Sequence, residues 1–164
     1  MQLHGLDTEE TVFFYEQDFY VLSNFSSFRL NWKGVDFDTS EHAYHWEKFY
    51  LVPGAWTQDG TVCDLIRRTR SAHEAFKLAE NMRSLRRPDW EAVKVSIMTD
   101  ILRAKMSQHP YVRQKLLESG DRLLVENSWR DDYWGWGPNR DGKNVLGRLW
   151  MSIRSELRKK GETK

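Results

Sequence analysis

A single cysteine, Cys63, is all the thiol chemistry this chain of 164 residues holds, so it can build neither a disulfide framework nor a cysteine-rich zinc site. Charge of one sign is equally scarce. The 25 basic residues against 24 acidic ones leave a net +1, which excludes a polybasic nucleic-acid or membrane surface over the whole molecule and leaves room for a local basic pocket. No long apolar run occurs, and Met1 to Glu10 is polar and acidic where an export signal needs a basic end and an apolar stretch. A cytoplasmic protein with no membrane attachment is expected. Also missing are a GxGxxG turn, a P-loop and an HExxH pair. His42 and His45 stand three apart with no further Cys or His at fixed spacing, and neither Ser23 nor Ser40 lies in a nucleophile elbow. Neither a metal enzyme nor a serine hydrolase is indicated, and no repeat, low-complexity tract or linker breaks the chain.

Aromatic residues, by contrast, are abundant: eight Trp, eight Phe and six Tyr, several outside any amphipathic pattern. Some can stack on a planar ligand, although core packing is the commoner use of any single Trp. With 40% apolar and 30% charged residues, the length suits one globular domain, residues 1–164, with one substantial core.

Short runs rich in aromatic and branched residues at Thr11 to Tyr15, Phe28 to Trp32 and Val35 to Phe37 predict a small β-sheet near the N-terminus, with Trp32-Lys33-Gly34-Val35 as a hairpin turn. Asp38-Thr39-Ser40-Glu41 then offers N-cap residues and an acidic first turn for a helix to about Tyr50, ended by Pro53-Gly54. Residues 51–60 read as a loop, 62–70 and 71–82 as helices, and 84–88 as a basic connection. Asp89 caps a long helix carrying Trp90, Val93, Ile97 and Ile101 at helical spacing as far as Pro110. A short helix over 111–118 and an extended segment over 121–127 lead to the stretch from Ser128 to Asn144, dense in Trp, Asp, Gly and Asn. It reads as a long shaped loop of the kind that more often serves function than idles. A last helix runs from about Val145 to Arg158.

On the helix that starts near Asp38, Glu41, Tyr44, His45 and Lys48 fall at i, i+3, i+4 and i+7 and share one face, while Ala43, Trp46 and Tyr50 gather opposite. An acid, an imidazole, an amine and a phenol on one stripe make a proton-transfer site. Spacing alone fits a solvated helix face with an i, i+7 ion pair as well, and favours it.

Leu22-Ser23-Asn24-Phe25, Thr39-Ser40-Glu41-His42-Ala43-Tyr44 with Glu47-Lys48-Phe49, the stretch Arg86 to Lys94, Arg103-Ala104-Lys105, Leu124-Val125-Glu126-Asn127, Asp131-Asp132-Tyr133-Trp134-Gly135, and Gly142-Lys143-Asn144-Val145-Leu146-Gly147 follow one another in an order and spacing that resemble the NADAR (NAD- and ADP-ribose-associated) family of YbiA-like proteins. The resemblance covers nearly the whole chain. It implies an α+β domain, predominantly helical and compact with a small β-sheet, and an N-glycosidase that uses neither metal nor coenzyme. Two substrate classes are associated with the family: ADP-ribose on guanine bases of nucleic acid, whose removal reverses ADP-ribosylation and can counter a toxin ADP-ribosyltransferase, and phosphoribosylamino-pyrimidine intermediates of riboflavin synthesis. Both bond ribose C1 to nitrogen.

That chemistry asks for a proton donor to the leaving nitrogen or ring oxygen and for help at a cationic C1. Glu41 suits general acid catalysis, and Lys48 offers an amine for a Schiff base once the ribose ring opens. Asn24 can bond a ribose hydroxyl or a base edge, Arg67, Arg68 and Arg87 can pair with phosphate, and Trp90 or Trp134 can stack on a base. Glu126, Asp131, Gly135 and Asn144 complete the expected binding set, with Gly135 and Gly142 letting backbone approach the ligand. Trp136 follows Gly135 where some relatives carry an acid, and the stretch from Leu51 to Asp64 looks longer than in compact members, which would reshape the pocket mouth. A module that binds ADP-ribose or NAD without catalysis, and a protein-binding surface of exposed aromatics, are the two rival expectations.

Overall fold

The computed structural model describes residues 5–162, so the first four residues of the Met1 to Glu10 segment lie outside the described ones. The architecture is α+β, mainly helical with three separate two-stranded sheets. The chain forms two compact units: Asn24–Gln108, and a second made by the chain up to Ser23 together with the chain from His109 onward. Among the described residues, no helix is long and apolar enough to cross a membrane.

In the unit Asn24–Gln108, the hairpin of β2 (Leu30–Trp32) and β3 (Val35–Phe37) forms where the sequence predicts it. Lys33 and Gly34 take φ of 53° and 79°, the paired positive values of a two-residue turn whose twist matches that of the strands. The Gln108 amide clamps the hairpin to the end of a long helix by exchanging two 2.8 Å bonds with the backbone of Asn31. At the centre lies α1 (Ser40–Glu47), packed against α2 (Val62–Arg68), α3 (Ala72–Asn81), α4 (Trp90–Gln108) and the hairpin. Thr39 caps α1, its hydroxyl accepting the His42 N–H.

The helix stops at Glu47, short of the predicted Tyr50. The N–H groups of Lys48 and Phe49 bond back only three residues, and Leu51 turns to a φ of 57°. The predicted loop over 51–60 contains its own small hairpin, β4 (Trp56–Thr57) with β5 (Gly60–Thr61). The basic connection is a 3-10 turn, Arg83–Leu85. Asp89 accepts the α4 backbone through its carbonyl, while its carboxylate holds Arg87 at 2.6 and 2.9 Å.

In the other unit the expected N-terminal sheet is corrected. β1 (Thr11–Phe14) does not join β2 and β3 but pairs in parallel with β6 (Leu123–Glu126), more than a hundred residues later. A 3-10 segment, Gln17–Leu22, follows β1 in place of a hairpin turn, and a parallel partner must come from a distant crossover that local pattern cannot reveal. Helix α5 (Pro110–Glu118) starts with Pro at a position where a missing N–H costs nothing. Helix α6 (Val145–Glu162) lies against β6, and its buried Trp150 donates its indole N–H to the Leu22 carbonyl at 2.9 Å.

Candidate active site

The face of α1 carrying Glu41, Tyr44, His45 and Lys48 is not solvated. His45 is 2% exposed, Tyr44 5% and Lys48 6%, and only Glu41 reaches the surface appreciably. The opposite face is buried too, with Trp46 stacked on Tyr50 at 4.3 Å and edge-on to Phe37 at 5.4 Å. A helix buried all round while carrying acid, imidazole and amine must satisfy its polar groups or leave them strained. Most are satisfied. The Ser40 hydroxyl donates to the Asn24 carbonyl oxygen Oδ1 at 2.9 Å, and the His42 ring bonds Thr39 Oγ1 and the Thr69 carbonyl. Glu47, wholly buried, takes the Trp32 indole N–H at 2.6 Å and Lys33 Nζ at 2.8 Å on Oε1, while its Oε2 lies 3.8 Å from Arg87 without a hydrogen bond among the described residues.

The exceptions cluster. His45 Nε2 meets Glu41 Oε1 at 2.6 Å, a contact that needs a proton on one side or the other, while His45 Nδ1 is buried without a hydrogen-bond partner. Burial pushes the imidazole pKa down against the opposing pull of Glu41, so the ring is held neutral. Lys48 Nζ makes no hydrogen bond or ion pair among the described residues. It lies over the rings of Tyr44 at 5.2 Å and Trp90 at 5.6 Å. Desolvation lowers its pKa to about 8, with Arg86 and Arg83 adding to that effect and Glu41 and Glu80 opposing it. The Lys48 amine, its pKa lowered to about 8, and the Glu41 carboxyl bonded to His45 therefore stand on one face, about two turns apart, the residue types that amine and acid chemistry needs.

The other expected residues divide between the two units. Asn24 sits beside α1, its carbonyl oxygens bonded by Ser40 and by the Glu41 N–H and its amide N–H pointed at Met98 Sδ at 3.3 Å; it fixes the start of the helix. Trp90 is 2% exposed and packs on Tyr44 at 5.0 Å, so it walls Lys48 and has no open ring face of its own. Arg87 is tied to Lys48 through its backbone, donating its N–H to the Lys48 carbonyl at 2.7 Å, while its guanidinium holds Asp89. Arg67 and Arg68 both turn to Asp64 at 3.2 Å on an exposed face of α2.

In the other unit the loop from Ser128 to Asn144 is knotted onto itself. Asn144, at a φ of 50°, accepts the Glu126 N–H at 2.9 Å and donates to the Leu124 carbonyl at 2.9 Å. Asp131 Oδ1 takes the N–H groups of Tyr133 and Trp134 at 2.9 and 2.7 Å. A Cβ on Gly135 would meet Ser128 Cβ at 2.8 Å and the Glu126 carbonyl at 2.9 Å, so Gly there serves close chain packing. Trp136, in place of the acid, packs on Phe13 at 4.7 Å and bonds Asn127 Oδ1 at 3.0 Å.

Sequence reasoning missed Phe76, Glu80, Arg83 and Arg86 as neighbours of the stripe. Phe76 meets the His45 ring edge-on at 5.8 Å, and the charges of the other three bear on Lys48. Spacing gave a signal for two of them, since 76 and 80 lie one turn apart on the helix that packs on α1, while Arg83 and Arg86 lie in and after the 3-10 turn that follows it.

Comparisons with known proteins show the family. A NADAR domain model matches residues 13–158. The chain is 38% identical, over 90% of its length and 93% of the relative's, to a Nostoc punctiforme protein named an N-glycosidase, and 35% identical, over 85% and 82%, to the N-glycosidase YbiA of Escherichia coli. It is 33% identical over 91% of its length to a Vibrio vulnificus riboflavin biosynthesis protein, of which it spans 39%. The solution structure of E. coli YbiA superposes with a TM-score of 0.80 at 30% identity, covering 96% of this chain and 91% of that one.

Proposed function

The chain belongs to the NADAR family, and from that premise we propose that it is an N-glycosidase that hydrolyses a ribose C1–N bond, with Glu41 as general acid and Lys48 as amine nucleophile. The observation that supports this best is Lys48: a buried amine, without an ion pair among the described residues, with a pKa of about 8, on the same helix face as the Glu41 carboxyl, which is hydrogen-bonded to His45. A purely structural lysine would be paired or solvated.

Glu41 delivers a proton to the ribose ring oxygen, the ring opens, and C1 becomes an iminium carbon bonded to the substrate nitrogen. The free Lys48 amine attacks C1, the substrate nitrogen leaves with a proton, and C1 remains as a Schiff base on Lys48. Water then adds to C1 and releases the sugar, so the net reaction is hydrolysis. The buried rings of Tyr44 and Trp90 keep the amine desolvated and stabilise the cationic adduct through their faces. Proton, amine and water suffice, with no coenzyme in the cycle. We take the substrate to be ADP-ribose on guanine bases of nucleic acid, phosphoribosylamino-pyrimidine intermediates of riboflavin biosynthesis, or both, acting in the cytoplasm. Relatives named as N-glycosidases and as a riboflavin biosynthesis protein support this reading. A toxin ADP-ribosyltransferase is the partner the first substrate class would imply.

Purified protein incubated with ADP-ribosylated guanine DNA and, separately, with phosphoribosylaminopyrimidine tests this by the release of sugar, beside a Glu41→Gln control. Release by wild type alone from one substrate establishes the glycosidase and selects its class. No release from either, with ADP-ribose still bound, would replace it with a non-catalytic binding module.

A further inference from the structure

Helix α3 turns Ala72, Ala75 and Ala79 inward, yet between them it carries a phenyl ring that is 41% exposed. An exposed Phe by itself means little. Phe76 is distinguished by its neighbours: its ring meets the buried His45 imidazole edge-on at 5.8 Å and lies nearly parallel to the His73 ring at 6.4 Å. One turn on is Glu80, and Arg83 follows within 3.9 Å of it. The 3-10 turn containing Arg83 is tied to Lys48, because Arg86 N–H bonds the Arg83 carbonyl and the next N–H, of Arg87, bonds the Lys48 carbonyl at 2.7 Å. An open aromatic face and two guanidiniums thus border the Glu41, His45 and Lys48 face.

We propose that Phe76 is the platform on which the leaving base of the substrate stacks, and that Arg83 and Arg86 hold its phosphate. This rests on the N-glycosidase reading and names its substrate contacts. A base bonded to ribose C1 must lie within a few ångströms of the amine and acid that act on that carbon, and a ring beside His45 offers it a flat apolar partner. A 5′-phosphate on the same sugar needs cations at the reach of the ribose. Arg83 is held only by a loose pair with Glu80, and Arg86 by Glu91 at 3.1 Å, so a doubly charged phosphate competes for both. Of the arginines singled out by sequence, Arg67 and Arg68 pair with Asp64 on an exposed face of α2 and Arg87 holds Asp89.

The test is a binding titration of the whole protein with guanosine 5′-monophosphate and with ribose 5-phosphate, with base release measured separately. Phe76→Leu should weaken the nucleotide about 10-fold and leave ribose 5-phosphate unchanged, in line with the usual size of a base stack. Phe76→Tyr should restore nucleotide affinity, and Arg83→Gln with Arg86→Gln should weaken both ligands. Thermal melting confirms that each variant is folded. Unchanged nucleotide affinity in folded Phe76→Leu overturns the platform, and unchanged ribose 5-phosphate affinity in the arginine variant overturns the phosphate contacts. Failure of the glycosidase reading looks different: both ligands bind and respond to the substitutions as described, but wild type releases no base.

Discussion

The face of α1 and the loop from Ser128 to Asn144 are the two regions richest in polar and aromatic residues of chemical interest, and they use those residues in opposite ways. In the loop, the carboxylate of Asp131 and the amide of Asn144 are consumed by backbone N–H and C=O groups of their own unit. On α1 burial is deeper, yet Lys48 has no ion pair among the described residues and His45 keeps a buried nitrogen without a hydrogen bond. Polar groups that complete a fold are used up by it. A buried group left without a partner is a candidate for chemistry, so motifs of similar composition can differ in how much of their polar capacity the fold consumes.

The strongest way to break this comparison is to remove the reagents. Glu41→Gln and Lys48→Met should each lower sugar release by roughly 10²–10⁴-fold, the range for a lost general acid or nucleophile, with the melting temperature near that of wild type. Equal activity in either variant would put the α1 face among the structural elements. The loop should show the reverse. Gly147→Ala, in the first turn of α6 just beyond the loop, would drive a Cβ into the Leu124 carbonyl, and Asn144→Ala would orphan the Glu126 N–H and the Leu124 carbonyl. Each orphaned group costs about 1–3 kcal/mol, so denaturant unfolding should shift to lower midpoints, while the surviving folded fraction keeps its turnover.

A pH profile sharpens the contrast. Only the unprotonated Lys48 amine attacks, so turnover should rise as pH climbs through about 8 and fall away below it. Lys105, buried on α4 and bonded to Ser26 Oγ at 2.9 Å, is a control for buried lysines that lie off the α1 face. Burial lowers its pKa to about 7 from 10.5. Between those values the unfolded chain binds the extra proton, so stability conferred by the neutral amine grows as pH rises from about 7 towards 10.5 and is lost below. Urea unfolding at several pH values should show that slope, and Lys105→Met should flatten it without changing the pH profile of turnover. The smallest effect is expected at Arg67 and Arg68. Their Ala variants should match wild type in melting temperature and turnover, since exposed pairs contribute little.

Much of this was legible from the residues. Period and punctuation located every helix from α1 to α6 to within a few residues, and Lys33-Gly34 marked its turn. The parallel pairing of β1 with β6 was not legible, because register between strands so far apart leaves no local trace. Spacing put Glu41 and Lys48 on one face and favoured a solvated one, and the family resemblance is what singled them out, because spacing cannot tell a wet stripe from a buried one. Burial of that face came from the surrounding helices α2, α3 and α4 and the hairpin, which no single-helix pattern contains. The same gap explains Arg83 and Arg86, which are brought to Lys48 by the turn that Arg87 pins, whereas the pairing of Arg67 and Arg68 with Asp64 three and four residues earlier on α2 was open to sequence.

Hydride trapping tests the central claim most directly. Protein turning over its ribosylated substrate in the presence of cyanoborohydride should acquire one reduced sugar adduct, and peptide mass spectrometry should place it on Lys48. Base release with no adduct, together with full activity in Lys48→Met, would contradict an amine nucleophile on the buried face of α1.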